Sequence, residues 1–172
     1  MRRLGLLLTL CCCNLVNGPN KNGECRANLQ SIIAGEAGLY SEQHRYSTHP
    51  FEIAFAPATG NRYLYLLDST GQVTRRDELP SGPVRESIGV GPDTRARKVT
   101  AEWLRARFPA ELVATLGIHG TCPTCTFVAG CVGNLDEDDD VDVWTISTAD
   151  RELDGGTVHR GTPFHHLDDR AR

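Results

Sequence analysis

The chain has 172 residues, a length typical of one domain that can bury a hydrophobic core without metal ions or many disulfides. Its formal net charge is −4, which argues against a nucleic-acid partner because phosphate binding needs a clustered excess of Lys and Arg. The densest basic stretch, residues 95–107, is interrupted by Thr, Ala, Glu and Trp, as expected for a solvated helix face.

The first thirteen residues have the pattern of an export signal. Two arginines precede an apolar stretch at residues 4–10, and three cysteines follow it. This apolar stretch is much shorter than the roughly 20 residues of a membrane-spanning helix, so we expect removal or lipid modification. Cys13 is the predicted lipidation site, because Leu10 and the small Cys12 occupy the positions that bacterial lipoproteins require before the modified Cys. Ordinary cleavage and a misplaced start codon are the alternatives.

Residues 14–23 are rich in Asn, Gly and Lys, which predicts a flexible tether, and the globular domain is therefore predicted to span residues 24–172. After the tether, apolar or small side chains recur at the spacing of a helix with one buried stripe. These positions are Cys25, Leu29, Ile32, Ile33, Ala37 and Tyr40. The helix is predicted to end within residues 47–50, since the residue before a proline is disfavoured in the α region.

Two short strands are predicted next, at residues 51–55 from alternating apolar side chains and at residues 63–67 from aromatic and aliphatic ones. Residues 57–61 form the predicted turn between them, because Gly60 and Asn61 tolerate positive φ. The polar stretch 68–97 is predicted to be loop with at most one more strand.

A small helical insertion is predicted to follow. Thr100 is suited to cap a short helix that carries Trp103 and Phe108, and Pro109 is suited to open a second helix that runs through Leu116. Residues 126–132 and 141–148 then predict a hairpin, joined by an acidic loop. The segment from residue 150 lacks periodicity and is interpreted as an exposed polar tail.

Together these elements predict an α+β fold, in which an N-terminal amphipathic helix packs on an antiparallel β-sheet, with a short helical insertion and a disulfide-tied C-terminal hairpin. The predicted core consists of Leu29, Ile32, Ile33, Tyr40, Phe55, Tyr63, Tyr65, Phe127, Trp144 and Ile146.

Four cysteines follow the export signal, Cys25, Cys122, Cys125 and Cys131, and an even number in an exported chain predicts disulfides. If Cys125 and Cys131 share one extended strand, they lie about 20 Å apart and cannot bond to each other. The connectivity is otherwise open. Cys122 and Cys125 also fit a redox motif, or half of a zinc site with Cys131 and His119. We favour structural disulfides, because the pair precedes a strand and no second spaced pair exists.

The acidic loop places oxygen-bearing side chains at every second residue, as hard cations such as Ca²⁺ require. The candidate ligands are Asn134, Asp136, Asp138, Asp140 and Asp142. The loop lacks the Gly and the terminal Glu of an EF-hand, so the alternative is a solvated turn. No other cofactor is predicted.

Catalytic signatures are absent from the sequence. No Ser lies in a G-x-S-x-G pattern, and the six histidines have no paired nucleophile motif. His165 and His166 could bind a metal together with Asp168 and Asp169, but we interpret them as part of the exposed polar tail. We therefore expect a protein that is not an enzyme.

The order of one helix, an antiparallel sheet and a disulfide-bearing C-terminal region resembles the globular domain of type IV pilins and their pseudopilin relatives. Residues 36–47 (EAGLYSEQHRYS) and 53–65 (IAFAPATGNRYLY) resemble the helix end and first strands of delta-proteobacterial pilin-like proteins. Residues 122–150 (CPTCTFVAGCVGNLDEDDDVDVWTISTAD), together with Gly161-Thr162-Pro163 and Asp168-Asp169, resemble the C-terminal pattern of that group.

The resemblance implies an exported protein of the periplasm, outer membrane or cell surface, with a structural or interaction role accessory to type IV pilus or type II secretion-like machinery. Its partners would be other pilin-like or envelope proteins, and membrane contact would come only through a lipid anchor. The calcium that major pseudopilins bind in a C-terminal loop supports a calcium site in the acidic loop.

Pilins also begin with a long apolar helix that this sequence lacks, so we do not expect polymerisation as a major subunit. The alternative is a calcium-dependent binding module unrelated to filaments.

Overall fold

The computed structural model describes residues 21–78, 85–95, 98–136 and 138–169. The predicted export signal at residues 1–13, with Cys13, and residues 14–20 of the predicted tether lie outside these ranges. Within them, no helix combines the length and the apolar character needed to cross a membrane.

Helix α1 (Lys21–Gln43) begins three residues before the expected domain start, so residues 21–23 are helical. The helix ends earlier than predicted, because His44 adopts a left-handed conformation (φ 55°) that closes the last turn. The backbone N–H of His44 donates to the Tyr40 carbonyl at 2.9 Å. The exit from α1 is therefore set by a C-terminal cap before Pro50 is reached.

The buried stripe of α1 differs from the predicted one in its second half. Its members are Cys25, Leu29, Ile32, Glu36 and Leu39. Ile33 and Tyr40 are only half-buried and Ala37 is exposed, because the true stripe follows the 3.6-residue period through Glu36. Glu36 accepts a hydrogen bond from the Ser47 backbone N–H at 3.0 Å. Burial raises the pKa of Glu36 to about 7, so a large fraction of this carboxyl is protonated at neutral pH.

In the part of the chain that the structure describes, nine strands follow α1 and are numbered in chain order. They are β1 (Tyr63–Leu66), β2 (Val73–Thr74), β3 (Gly89–Val90), β4 (Gly117–His119), β5 (Thr126–Gly133), β6 (Asp142–Ser147), β7 (Arg151–Leu153), β8 (Gly156–Val158) and β9 (Phe164–Leu167). The main sheet has the order β2-β3-β1-β5-β6-β9, with β4 also pairing with β5. Every pairing is antiparallel except that of β2 with β3. The predicted α+β class and the predicted β5–β6 hairpin are confirmed.

The strand predicted at residues 51–55 is wrong, because this segment is a series of turns. The N–H groups of Ala54 and Phe55 donate to the carbonyls of Phe51 and Pro50, and Ala54 has a positive φ of 52°. Ile53 and Phe55 are buried while their neighbours are exposed, so the alternation is real but comes from packing of a turn against α1.

Strands β7, β8 and β9 correct the interpretation of the C-terminal segment as an exposed tail. Strand β9 pairs with β6 along the main sheet, and β7 and β8 form a separate hairpin. Strands β2 and β3 likewise give two short strands in the stretch where at most one was expected. Each of these strands is only two to four residues long, too short to show a reliable period.

The helical insertion covers the sheet face opposite α1. Helix α2 (Ala101–Arg107) is capped by Thr100, whose hydroxyl accepts from the Trp103 N–H at 3.2 Å. Helix α3 (Ala110–Val113) ends three residues before the predicted end at Leu116. Leu64, Leu66 and Val132 of the sheet pack with Leu104 and Phe108 in this second core.

The first core lies between α1 and the sheet. Of the predicted core residues, Leu29, Ile32, Phe55, Tyr63, Tyr65, Phe127 and Ile146 are buried in it, whereas Ile33 and Trp144 are half-buried against it. Tyr40 is half-buried as well. Successive side chains of β1 alternate between the two cores, as a strand requires.

The four cysteines form two disulfides. Cys25 of α1 bonds to Cys131 of β5, with Cα atoms 6.4 Å apart, and Cys122 bonds to Cys125, with Cα atoms 4.5 Å apart. The first disulfide joins residues separated by 106 positions and the second joins residues separated by three. Cys25–Cys131 therefore fastens the helix directly to the sheet.

Replacing Cys25 and Cys131 together by Ala should lower the free energy of unfolding more than replacing Cys122 and Cys125 together. Loop-closure entropy alone gives about 5 kcal/mol for the long loop and about 2 kcal/mol for the short one. Urea unfolding of the oxidised proteins measures both losses. Equal losses in the two double variants would contradict a fastening role for Cys25–Cys131.

The Gly133→Ala substitution should destabilise the protein, because an added Cβ would lie 2.5 Å from Cδ1 of the Tyr63 ring. Overpacking of this kind typically costs about 1–3 kcal/mol. Gly156→Ala in β8 is the matched control, since an added Cβ there meets no atom within 4 Å. Thermal unfolding should separate the two variants, and a stable Gly133→Ala protein would show that β5 and Tyr63 are not in this contact.

Candidate functional site

The acidic loop joins the end of β5 to the start of β6, as the sequence predicts. The structure does not bring its five predicted ligands to one point. Asp136 and Asp138 face Asp169, whereas Asp142 lies in a different cluster with His165 and Asp168. The loop therefore divides into an exposed acidic part and a buried anchor.

Asp136, Asp138 and Asp169 form the first cluster, in which one carboxylate oxygen of each residue lies within 4.8 Å of the others. Asp136 and Asp138 are exposed, but Asp169 is only 3% exposed. One oxygen of Asp169 accepts a hydrogen bond from the Leu135 backbone N–H. Its buried Oδ1 has no hydrogen-bond partner among the residues that the structure describes. A buried carboxylate oxygen without a hydrogen-bond partner favours the binding of a group that accepts electron pairs, such as a cation.

The electrostatics of this cluster are unfavourable without a cation. Burial, with a smaller contribution from the negative charges of Asp136, Asp138 and Asp142, raises the pKa of Asp169 to about 6. Asp139 of the same loop points away, because its side chain is 94% exposed and contacts Arg107 at 3.3 Å. Oxygen ligands of this kind suit a hard divalent cation.

Asn134 and Asp140 shape the loop through hydrogen bonds. The Asn134 amide donates to the carbonyls of Asp138 and Asp140 at 2.6 and 3.4 Å. The Asp140 N–H donates to the Asp138 carboxylate at 2.8 Å. The side-chain nitrogen of Asn134 thus stabilises the loop from within, and these hydrogen bonds do not use its side-chain oxygen.

Asp142 is the buried anchor of the loop. Its Oδ2 accepts from the Tyr63 hydroxyl and from Trp144 Nε1, both at 2.7 Å, and its Oδ1 lies 2.6 Å from His165 Nε2. The side chain of Asp142 is fully buried, and His165 stacks on the Trp144 ring with centroids 3.9 Å apart. Because these partners come from β1, β6 and β9, Asp142 ties three strands together.

This network is the part of the site that sequence reasoning missed. The sequence predicts His165 in an exposed tail, but β9 places it beside Trp144. Burial and the neighbouring Asp142 also raise the pKa of Tyr63 well above its usual value, which keeps the hydroxyl protonated as a donor. A four-residue strand without periodicity gave no signal for this arrangement.

The alternative zinc set is not assembled. Cys131 is fully buried in its bond to Cys25, and Cys122 is bonded to Cys125. His119 instead contacts the Thr115 carbonyl through Nε2 at 2.7 Å.

A groove runs along the exposed flank of α1 near its C-terminal end. It has a volume of about 290 Å³ and is lined mainly by apolar atoms, and its lining includes Ile33, Ala37, Tyr40, Tyr46 and Arg160. The Tyr40 and Tyr46 rings stack at 4.8 Å. This surface is suited to contact with another protein chain.

Comparison with known proteins agrees with the resemblance seen in the sequence. The family described as "Type IV pilin PilA" matches residues 18–142, which include the acidic loop but end before Asp169. The "Type IV major pilin protein PilA" of Myxococcus xanthus (strain DK1622) is 29% identical over an alignment of length 192, which covers 98% of this chain and 86% of that protein. Since the family match spans most of the chain, this protein belongs to the type IV pilin PilA family.

Proposed function

We propose that this protein is an exported, non-enzymatic component of a type IV pilus system, with other pilin subunits as its partners at the cell envelope. The observation that carries this proposal is the family match over residues 18–142, together with a helix fastened across an antiparallel sheet. The similarity to a major pilin supports the same role.

The groove beside α1 is the surface that we assign to subunit contact. Ala37 is exposed and lines this groove, and so do the stacked Tyr40 and Tyr46 rings. Apolar and aromatic atoms on an exposed helix flank are typical of the central part of a protein interface. Arg160 gives the groove a cation that an acidic partner surface can neutralise.

A calcium site in the acidic loop is a second candidate function, favoured by the unsatisfied Oδ1 of buried Asp169. Asp136, Asp138 and Asp169 would hold the cation, which would satisfy that oxygen and neutralise three adjacent carboxylates. Asp142 is left out of this set, because its oxygens already receive three donors. The cation would tie the loop to the segment after β9.

For the pilus role, Ala37→Gln should reduce the amount of this protein in sheared pilus fractions several-fold, because the longer side chain fills the groove. Ala27→Gln is the matched control, since Ala27 is an exposed alanine of the same helix that does not line the groove. Gln is a good helix former, so both variants should keep their thermal midpoints. If the wild-type protein never appears with pilus components, the proposed function is wrong, and if both variants behave alike, the groove is not the contact surface.

For the calcium site, millimolar Ca²⁺ should raise the thermal midpoint, because a ligand that binds only the folded state stabilises it. Asp169→Asn should abolish this increase, while Asp139→Asn, which changes an exposed carboxylate outside the cluster, should retain it. An unchanged midpoint of the wild-type protein on adding Ca²⁺ after chelation would contradict the site.

The same site should depend on pH in a defined direction. The pKa of Asp169 is about 6 in the folded state, above the ordinary value of 3.8, so the folded state binds more protons than the unfolded state between these values. Without calcium, this residue's contribution to stability therefore falls as pH rises from about 4 to 6. The increase in thermal midpoint on adding calcium should be largest above pH 7. It should become smaller as pH falls through 6, because protons compete with the cation for the Asp169 carboxylate.

A further inference from the structure

The two disulfides of this protein differ sharply in their access to solvent. Cys25 and Cys131 are both 0% exposed, so a reductant cannot reach them without partial unfolding. Cys122 is half-buried, and its partner Cys125 is 6% exposed. These two cysteines lie in the surface turn between β4 and β5. Disulfide exchange requires a thiolate to approach a sulfur atom. The more accessible bond, Cys122–Cys125, should therefore react more readily than Cys25–Cys131.

We propose that Cys122–Cys125 is a thiol–disulfide exchange site for dithiol reductants, which opens and closes while Cys25–Cys131 stays intact. The entering thiolate attacks Sγ of the more exposed Cys122, and Cys125 leaves as a thiolate that takes a proton from solvent. The second thiol of the reductant then attacks its own sulfur in the mixed disulfide. Cys122 is released as a thiol and the reductant leaves as a disulfide, so two electrons and two protons pass to the protein.

The turn that contains this pair is also held by contacts that do not involve sulfur. The backbone N–H and the hydroxyl of Thr124 both donate to the Thr121 carbonyl, at 3.1 and 3.0 Å. On either side, β4 and β5 pair from Gly117↔Val128 to His119↔Thr126. Because these hydrogen bonds close the turn, reduction should change it locally and leave the sheet in place.

Opening this disulfide should change the contacts of the C-terminal end of α1. The Tyr40 hydroxyl donates to the carbonyl of Pro123, which lies inside the four-residue ring that the disulfide closes. Tyr40 in turn stacks on Tyr46 and lines the groove beside α1. The oxidation state of the pair therefore controls how firmly Tyr40, which lines that groove, is held.

The test is selective reduction of the complete, oxidised chain under native conditions. Protein is treated with a dithiothreitol series, alkylated with iodoacetamide and mapped as unreduced peptides. Cys122 and Cys125 should be alkylated at dithiothreitol concentrations at least about tenfold lower than Cys25 and Cys131, in line with the effect of access on exchange. Alkylation of all four cysteines together, of Cys25 and Cys131 first, or of none before the chain unfolds would overturn the proposal.

A second measurement tests whether the opening is local. Selectively reduced protein should show faster amide hydrogen exchange in the turn at residues 120–125 and at the C-terminal end of α1, with β5 and β6 unchanged. The variant with Cys122→Ala and Cys125→Ala should show the same pattern without any reductant. Loss of protection throughout the sheet in either sample would contradict a local exchange site.

Discussion

The fold depends on the attachment of helix α1 to the sheet. At its N-terminal half, α1 is bonded to β5 through Cys25–Cys131, and Asn28 donates to the Tyr65 hydroxyl at 2.6 Å. Leu29 and Ile32 follow these two points along the helix and pack in one core with the aromatic side chains of the sheet. With one face of the sheet covered in this way, the opposite face is left for α2, and the chain has two cores on one sheet.

The candidate site follows from the same sheet. Pairing of Gly133 with Asp142 fixes the two ends of the acidic loop, and the hydrogen bonds of Asp142 to three strands hold it there. The loop can then turn Asp136 and Asp138 toward Asp169, which comes from the segment after β9. The buried Asp142 and the exposed acidic cluster are thus close in sequence but have different surroundings and different partners. For this reason, the occurrence of oxygen-bearing side chains at every second residue could not by itself identify the metal ligands.

The elements that sequence analysis found are those whose signal is local. The helix at α1, the hairpin of β5 and β6 and the Thr100 cap are each indicated by neighbouring residues, and each is present in the structure. The misses depend on distant partners. Residues 51–55 alternate in burial because they pack as a turn on α1, and His165 and Asp169 acquire their surroundings only when β9 pairs with β6. Family resemblance over residues 24–65 and 117–169 carries information from distant parts of the chain, and the resemblance to type IV pilins is confirmed.

The attachment of α1 is tested most directly by solution NMR on the oxidised protein. We expect a nuclear Overhauser contact between the Asn28 side-chain amide and the Tyr65 ring, with Cβ chemical shifts of oxidised cysteine at Cys25 and Cys131. Reduced-state shifts at these two cysteines, with contacts of Asn28 confined to its own helix, would contradict it.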